Sequence, residues 1–424
     1  MKILARVTSP RLAPLCRPLV VGLLSSTTAL GVSAGSLIDD TTATLNLRNF
    51  YHNRNFVDPA YPQGKAEEWT QSFIFDLRSG FTQGTVGVGV DVLGLYALKL
   101  DGGRGTAGTQ LLPVHEGGKP ADDFGRLGVA LKARYSATEL KVGEWVSLLP
   151  ILRSDDGRSL PQTFRGAQLT SREIENLALY TGQMRGNSPR NDASMERLFM
   201  AGRPDAASDR FNFAGGEYQF NDKATQVGLW YAQLEDIYQQ QYLNIIHSQP
   251  VGNWTLGANL GLFLGDEHGA AKAGQLDNKT ASLLLSAKTG GHTFYLGLQR
   301  VSGDTGWMRV NGTAGYPLAN DTYNSSYDSA DERSWQLRHD FNFAALGVPG
   351  LTMMNRYLSG DHVRTSAGGQ GKEWGRESEL AYVFQSGPLK DLSVRWRNST
   401  LRRDFSTYDI DENRLIINYP ITFL

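Results

Sequence analysis

The stretch Thr85–Val92, TVGVGVDV, places a valine at every second position. Successive side chains of a β-strand point to opposite faces, so a period of two predicts a strand with one apolar face and one small or polar face. Similar alternation recurs along the chain as far as the closing stretch Leu415–Phe423. In an outer-membrane barrel alternate residues meet lipid, and the sequence therefore predicts an all-β, transmembrane antiparallel β-barrel of about 18 strands.

The first 34 residues read as a leader. They hold Lys2, Arg6, Arg11 and Arg17 without an acidic residue, and then an apolar run, LVVGLLSSTTALGV. Small residues precede Gly35, which predicts an export signal peptide at 1–34 that is cleaved after Ala34. Residues 35–424 then form a single barrel domain without cysteine, because the single Cys of the chain lies in the leader.

Composition excludes several classes of protein. After the leader no apolar run approaches the roughly 20 residues of a membrane helix. Loss of four leader cations takes the formal charge from -1 to -5, which gives no sign of a nucleic-acid partner. The chain has 7 histidines but no HExxH or GxSxG motif, so neither an enzyme nor a metal or other cofactor is predicted.

Connections between the predicted strands fall into two alternating classes. Short ones are FTQG, SATE, NDK, TGG, ALGVPG and SGPLKD, and the long ones lie at 52–67, 99–123, 146–172, 265–277, 303–331 and 360–371. Short periplasmic turns and long outer loops are typical of outer-membrane barrels. A barrel this wide leaves an aqueous lumen. Because 146–172 carries several leucines, we expect it to fold into the lumen as a plug, with 303–331 as a second insertion.

Strand parity sends most basic side chains to the lumen. Arg395 and Arg397 flank the lipid-facing Trp396, so both guanidiniums must point inward. A column of guanidiniums binds carboxylates through bidentate hydrogen bonds and can pass an anion along a pore. The alternative explanation is that these side chains point inward only because lipid excludes charge from the outer face. The inward set also includes the following residues: Arg48, Arg78, Arg126, Lys132, Arg134, Lys141, Arg338, Arg356 and Arg414, with the acids Asp76, Asp91, Asp340 and Glu379.

Several long segments resemble the porin D family of outer-membrane, substrate-specific channels. They include LPILRSDDGRSLPQTFRGAQLTS, LEDIYQQQYLN, VPGLTMMNRYLSGD and NRLIINYPITFL, and the similarity covers essentially all of the chain after the leader. The resemblance implies an 18-stranded monomeric barrel, a constriction built by the third and seventh outer loops, and a basic ladder on one lumen wall.

The same resemblance assigns individual residues. It implies substrate-binding ladder positions at Arg48, Arg158, Arg395, Arg397 and Arg414, to which strand parity adds Arg126. Tyr323, Tyr327 and Asp328 of the seventh loop match the family's substrate pocket loosely, and Trp307 and Arg309 are possible replacements for other pocket groups. Ala381 stands where some members carry a lysine, so that position of the ladder is missing here.

These observations predict an outer-membrane porin, a passive channel for small carboxylate-bearing solutes. Acidic groups in the seventh loop favour basic amino acids or small peptides, and carbapenem antibiotics are an implied passenger. The alternatives are a channel for cyclic or aromatic carboxylates, a non-selective porin, a surface adhesin and a barrel enzyme. Expected partners are these solutes together with outer-membrane lipid and lipopolysaccharide, and the expected state is a monomer, with a weak trimer as the alternative.

Overall fold

The computed structural model describes residues 35–424, so the predicted leader, 1–34, lies outside the described residues. A short helix, α1, at Gly35–Asp39 precedes the strands. The strands in chain order are β1 Thr42–Phe56, β2 Lys65–Arg78, β3 Val86–Asp101, β4 Asp123–Tyr135, β5 Thr138–Trp145, β6 Leu148–Leu149, β7 Leu152–Arg153, β8 Thr163–Ser171, β9 Leu177–Ser188, β10 Leu198–Met200, β11 Arg203–Ser208, β12 Phe211–Phe220, β13 Thr225–Leu234, β14 Tyr238–Val251, β15 Trp254–Glu267, β16 Asp277–Thr289, β17 His292–Ser302, β18 Arg333–Asn342, β19 Leu351–Arg364, β20 Gln370–Val383, β21 Ser393–Arg403 and β22 Ile410–Thr422.

All of these except the hairpins β6–β7 and β10–β11 form one 18-stranded sheet. Each strand is antiparallel to its neighbours, and β1 pairs with both β2 and β22, so that Arg48 lies opposite Ser72 on one side and Asn418 on the other. This last pairing closes the sheet and leaves no free edge. The predicted 18-stranded barrel is confirmed. Among the described residues no helix is long and apolar enough to cross a membrane.

The two faces of the wall follow the predicted parity. Val86 and Leu131 are 55% and 66% exposed on the outer face. On the lumen side, Asp91 forms ion pairs with Lys132 at 2.7 Å and with Lys141 at 2.6 Å. Apolar side chains therefore meet lipid while charges are paired inside, as the bilayer requires.

The two ends of the barrel differ as predicted. The six short turns lie at the end where β1 begins and β22 ends, and the long loops lie at the other. Several loop boundaries were wrong. Strands β1 and β2 extend into the predicted loop at 52–67, and β19 and β20 extend into the one at 360–371, so these loops shorten to 57–64 and 365–369. The insertion after β5 ends at residue 162, because Thr163–Ser171 is strand β8; a register shift between Arg165 and Gly166 interrupts its alternation. A long loop at 189–210 was missed, because its own hairpin, β10–β11, reads like barrel strand.

The long loops fold into the lumen because they carry apolar side chains. Leu149, Ile151 and Leu152 of the loop at 146–162 are buried, together with Met308 and Val310 of the loop at 303–332. Burial of such side chains removes apolar surface from water and stabilises the inward position by roughly 25 cal/mol per Å². The predicted inward-folded plug is confirmed, and it narrows the outer half of the barrel around one charged cavity.

Candidate functional site

One wall of this cavity is formed by three adjacent strands, β21, β22 and β1. In register, Arg397 lies opposite Arg414, and Arg414 lies opposite His52. Arg395, two residues further toward the short-turn end, lies opposite Ile416. The two arginines of β21 stand on the lumen side because Trp396 between them is 46% exposed on the outer face. The column predicted from parity is therefore present.

The cavity has a volume of about 690 Å³ and lies between this wall and the loops at 146–162 and 303–332. Its lining is strongly basic and contains no lysine. The charged lining residues are Arg48, Arg153, Arg158, Arg190, Arg309, Arg395, Arg397, Arg403 and Arg414, with Asp155, Asp156, Asp321 and Asp328. An excess of guanidiniums in a narrow, partly desolvated space attracts and orients an anion.

Glu379 of β20 sits at the centre of the ladder. Its carboxylate accepts a hydrogen bond from Arg397 Nε at 2.6 Å and lies 3.4 Å from Arg395 Nε. Arg395 is 40% exposed and forms no hydrogen bond in the described chain. A solute carboxylate can therefore reach Arg395 more easily than it can reach the neighbouring arginines, which already donate hydrogen bonds.

Tyr323 places an aromatic ring among the guanidiniums. Its ring lies 4.1 Å from Arg397, 5.2 Å from Arg356 and 5.5 Å from Arg414, within the range of cation–π attraction. Its hydroxyl donates to Glu379 at 2.9 Å. The ring and the ladder share one surface, which suits a ligand with both a carboxylate and a flat or cyclic body.

The loop at 146–162 carries the next part of the basic surface. Arg48 binds both carboxylate oxygens of Asp156, at 2.7 and 3.1 Å, and donates to the carbonyl of Arg158 at 2.8 Å. Arg158 itself is buried and donates to the carbonyls of Thr109 and Gly157. Burial, with Arg190 and Arg414 nearby, lowers the pKa of Arg158 well below its usual range.

Three of the four aspartates of the cavity are engaged by arginines, with Asp156 bound by Arg48. Asp155 pairs with Arg190, and Asp328 lies 3.3 Å from Arg309. Within the described chain Arg153 and Arg158 form no ion pair; Arg153 stacks on the Tyr316 ring at 4.4 Å. The positive charge of the cavity is therefore in excess, while no paired aspartate remains free for a cationic solute.

Asp321 differs from the other aspartates of the cavity because it is half-buried in the loop at 303–332 and forms no ion pair in the described chain. Burial raises the pKa of its carboxyl to about 6, against the opposing effect of a hydrogen bond from Ser326. With this pKa the carboxyl of Asp321 takes up a proton as the pH falls through 6. In residues 35–424 no group of three or more His, Cys, Asp and Glu side chains is placed to hold a metal ion.

Two predicted site residues lie outside the cavity. Arg126 is enclosed by loop carbonyls: it donates to Pro189 at 3.0 Å, to Asp192 at 2.6 Å and to Pro161. Tyr327 is 1% exposed and packs from the loop at 303–332 against the inner wall of the barrel, where its carbonyl accepts from Gln299. These two residues hold the inward loops in place.

The remaining predicted residues line the cavity: Arg48, Arg158, Arg395, Arg397, Arg414, Tyr323 and Asp328. Arg414 is only 2% exposed, and it donates to the carbonyl of Tyr323 at 3.1 Å, so it also anchors the loop. Of the two possible replacements, Arg309 lines the cavity, whereas Trp307 is buried against Phe263.

Sequence reasoning missed Arg153, Arg190 and Arg403. Arg403 shares the odd-numbered parity of Arg395 and Arg397 on β21, so the pattern contained its signal. Arg153 and Arg190 lie outside the barrel strands, where alternation gives no direction.

A family model described as outer membrane porin, OprD family, matches residues 35–423. The chain belongs to the OprD family of porins. Among curated proteins it is 63% identical over 402 residues to the porin-like protein GalP of Pseudomonas putida, covering 95% of this chain and 97% of that protein. The family and the closed barrel place the protein in the outer membrane as a channel, and its relatives are porins and not enzymes.

Solved OprD-family structures share the fold. A BenF-like porin from Pseudomonas fluorescens Pf-5 superposes with a TM-score of 0.91 at 67% identity, covering 91% of this chain and 100% of that chain. OccK2 (OpdF) of Pseudomonas aeruginosa in complex with glucuronate gives 0.85 at 61% identity, with coverages of 92% and 100%. OpdK of the same species with vanillate gives 0.87 at 49% identity, with coverages of 91% and 100%.

Proposed function

We propose that this OprD-family porin is a passive channel selective for small cyclic carboxylates, meaning uronates and aromatic acids. Arg395 carries the proposal: it is an exposed guanidinium in a cavity with surplus positive charge, beside the Tyr323 ring. The carboxylate of a solute would bind Arg395 and Arg397 in turn, and the ring of the solute would pass along the ring of Tyr323. Glucuronate and vanillate, bound by two similar porins, belong to this chemical class.

The rival specificity, for basic amino acids and small peptides, needs an acidic group that is free to receive the cationic side chain. The exposed Asp156 and the half-buried Asp328 are the candidates, yet each is paired with an arginine. To bind an ammonium group, Asp156 would have to leave a guanidinium that donates two charge-assisted hydrogen bonds to it, and Asp328 would have to leave its ion pair with Arg309. This competition favours solutes without a cationic end; the prediction of amino-acid and carbapenem passage stays a prediction.

Single-channel current of the mature protein in a planar bilayer tests the proposal. Benzoate, glucuronate and arginine are each titrated into the bath. We expect the two carboxylates to block a small, discrete current at lower concentration than arginine does. Block by arginine at the lowest concentration would favour the amino-acid channel, and a large current unaffected by all three solutes would indicate a general porin.

Two variants separate charge from geometry. Arg395→Ala/Arg397→Ala removes the guanidiniums, and we expect the blocking concentration of benzoate to rise by about tenfold or more, because hydrogen bonds to charged groups contribute about 1.5–3 kcal/mol each. Arg395→Lys/Arg397→Lys keeps both charges but loses the planar fork, and an intermediate effect is expected. Unchanged block in the alanine variant would contradict a role for these two arginines.

A further inference from the structure

The outer face of the barrel carries a basic patch that the channel function does not use. We define this outer basic patch as Arg300 of β17, Arg333 of β18 and Arg376 of β20, all of them exposed. Each lies two residues from an exposed apolar side chain on its own strand, namely Leu298, Trp335 and Trp374. Residues two apart share a face, so the three guanidiniums leave the barrel on its lipid side.

The patch lies toward the end of the barrel that bears the long loops. Arg333 is the first residue of β18, directly after the loop at 303–332, and Arg300 lies opposite it in register. Outer-membrane barrels direct their long loops to the cell exterior, so the patch lies at the level of the outer-leaflet headgroups. An aromatic row accompanies it: the Tyr357 ring lies 5.7 Å from Trp335 and 6.0 Å from Trp374. Such rings are typical of the membrane interface.

The arginines of the patch have no ion-pair partner in the described chain. Arg333 faces Asp361 on its other side in register, but the Asp361 carboxylate contacts His362. Like charges directly opposite each other on neighbouring strands destabilise a sheet. Arg300 and Arg333 form such a pair, and a bound anion would offset their repulsion.

Two other outward cations near the same end are neutralised. Lys65 lies 2.5 Å from Glu67, and Arg402 lies 2.9 Å from Asp411. Lys372 of β20 also faces outward, is exposed and has no ion-pair partner in the described chain, so unpaired cations extend along this side of the barrel.

A groove of about 570 Å³ adjoins the patch on the lipid side. Phe294, Leu337, Tyr357 and Arg376 contribute to its lining. An apolar groove beside unpaired guanidiniums fits an amphiphile that has an acyl chain and a negative headgroup.

We propose that the outer basic patch and this groove bind a phosphorylated lipid of the outer leaflet, with its phosphate on Arg300, Arg333 and Arg376 and an acyl chain in the groove. Arginine suits this task because its planar fork binds phosphate oxygens in a bidentate manner. The adjacent aromatic row offers a surface for the sugar of a glycolipid headgroup.

Native mass spectrometry of the full mature barrel in detergent, titrated with phosphorylated lipid A, tests the proposal. Each arginine near a charged surface contributes a factor of about five in affinity, so Arg300→Gln/Arg333→Gln/Arg376→Gln is expected to weaken binding about a hundredfold. Lys65→Gln/Arg402→Gln, which removes two paired cations from the same face, should leave the affinity within about twofold. Heat-modifiable migration on gels and unchanged channel current would show that both variants are folded.

Two further arms identify the ligand. Lipid A without its phosphates should bind as weakly as phosphorylated lipid A binds the triple variant, and inorganic phosphate at the same concentration should not displace the lipid. Equal affinity of the wild type and the triple variant would overturn the proposal, as would equal binding of the dephosphorylated lipid. Displacement by inorganic phosphate would instead assign the patch to the free ion. The outcome is independent of solute selectivity, because the patch lies outside the lumen.

Discussion

Replacement of Glu379 by glutamine should strengthen carboxylate binding. Glu379 is the only acidic side chain in the described residues that contacts both Arg395 and Arg397, and it competes with the solute for them. Glutamine keeps an oxygen that can accept from the Tyr323 hydroxyl, at present 2.9 Å from the carboxylate, so the loop contact can persist. The change therefore removes one negative charge beside the ladder with little alteration of shape.

The size of the effect follows from Coulomb's law. For a bound carboxylate about 6 Å from the Glu379 position, and an effective dielectric constant of about 40 in a wet, protein-walled pore, the repulsion removed is about 1.4 kcal/mol. That free energy corresponds to about a tenfold lower blocking concentration for benzoate or glucuronate. The assay is single-channel block at about 0.1 M salt, where charges within the Debye length of about 10 Å still interact.

Glu139→Gln is the matched control, because Glu139 lines a separate cavity of about 490 Å³ and does not contact the ladder. The Glu139→Gln substitution removes the same negative charge from the barrel interior, but at a greater distance from the ladder. It is therefore expected to change the blocking concentration by about twofold or less. Equal effects of the two substitutions would show that the response is to net charge alone. Unchanged or weaker block in Glu379→Gln would refute the competition between Glu379 and the solute.

Two further predictions concern the loops. Arg126→Met removes the donor for two carbonyls of the loop at 189–210 and for one of the loop at 146–162. At about 1.5 kcal/mol for each hydrogen bond from a charged donor, the loop at 189–210 should loosen by about 3 kcal/mol. Limited proteolysis should cut this loop faster than in Arg165→Met, and equal cleavage would contradict the tether. Burial raises the pKa of Asp321 from its usual value to about 6, so the folded protein binds the carboxyl proton more tightly than the unfolded chain does. Docking of the loop at 303–332 therefore weakens as the pH rises through 6. The cavity consequently gains positive charge as pH falls from about 7 to 5, and anion selectivity, measured from reversal potentials, should rise. Asp321→Asn should lose this dependence, and its persistence would exclude Asp321 as the titrating group.

Much of the barrel was predictable because a strand in a membrane wall has only two faces. Alternation around Val86–Val92 separated lipid from lumen, and parity alone placed Arg48, Arg395, Arg397 and Arg414 inside. The same rule fails at β8, where a register shift interrupts the alternation, and in the loops, where no period is imposed.

The amino-acid sequence by itself determined the fold class, the strand number and the inward side of each wall arginine, because these depend on local alternation. Only the tertiary structure decided which guanidiniums are available to a solute. Arg395 and Arg414 look alike in sequence, yet Arg395 is 40% exposed and Arg414 is 2% exposed. The difference comes from the loop at 303–332, which folds into the lumen. The Tyr323 carbonyl and the Asn324 side chain of this loop accept hydrogen bonds from Arg414. Contacts between residues about 90 positions apart depend on how the loops pack, and no strand period encodes that.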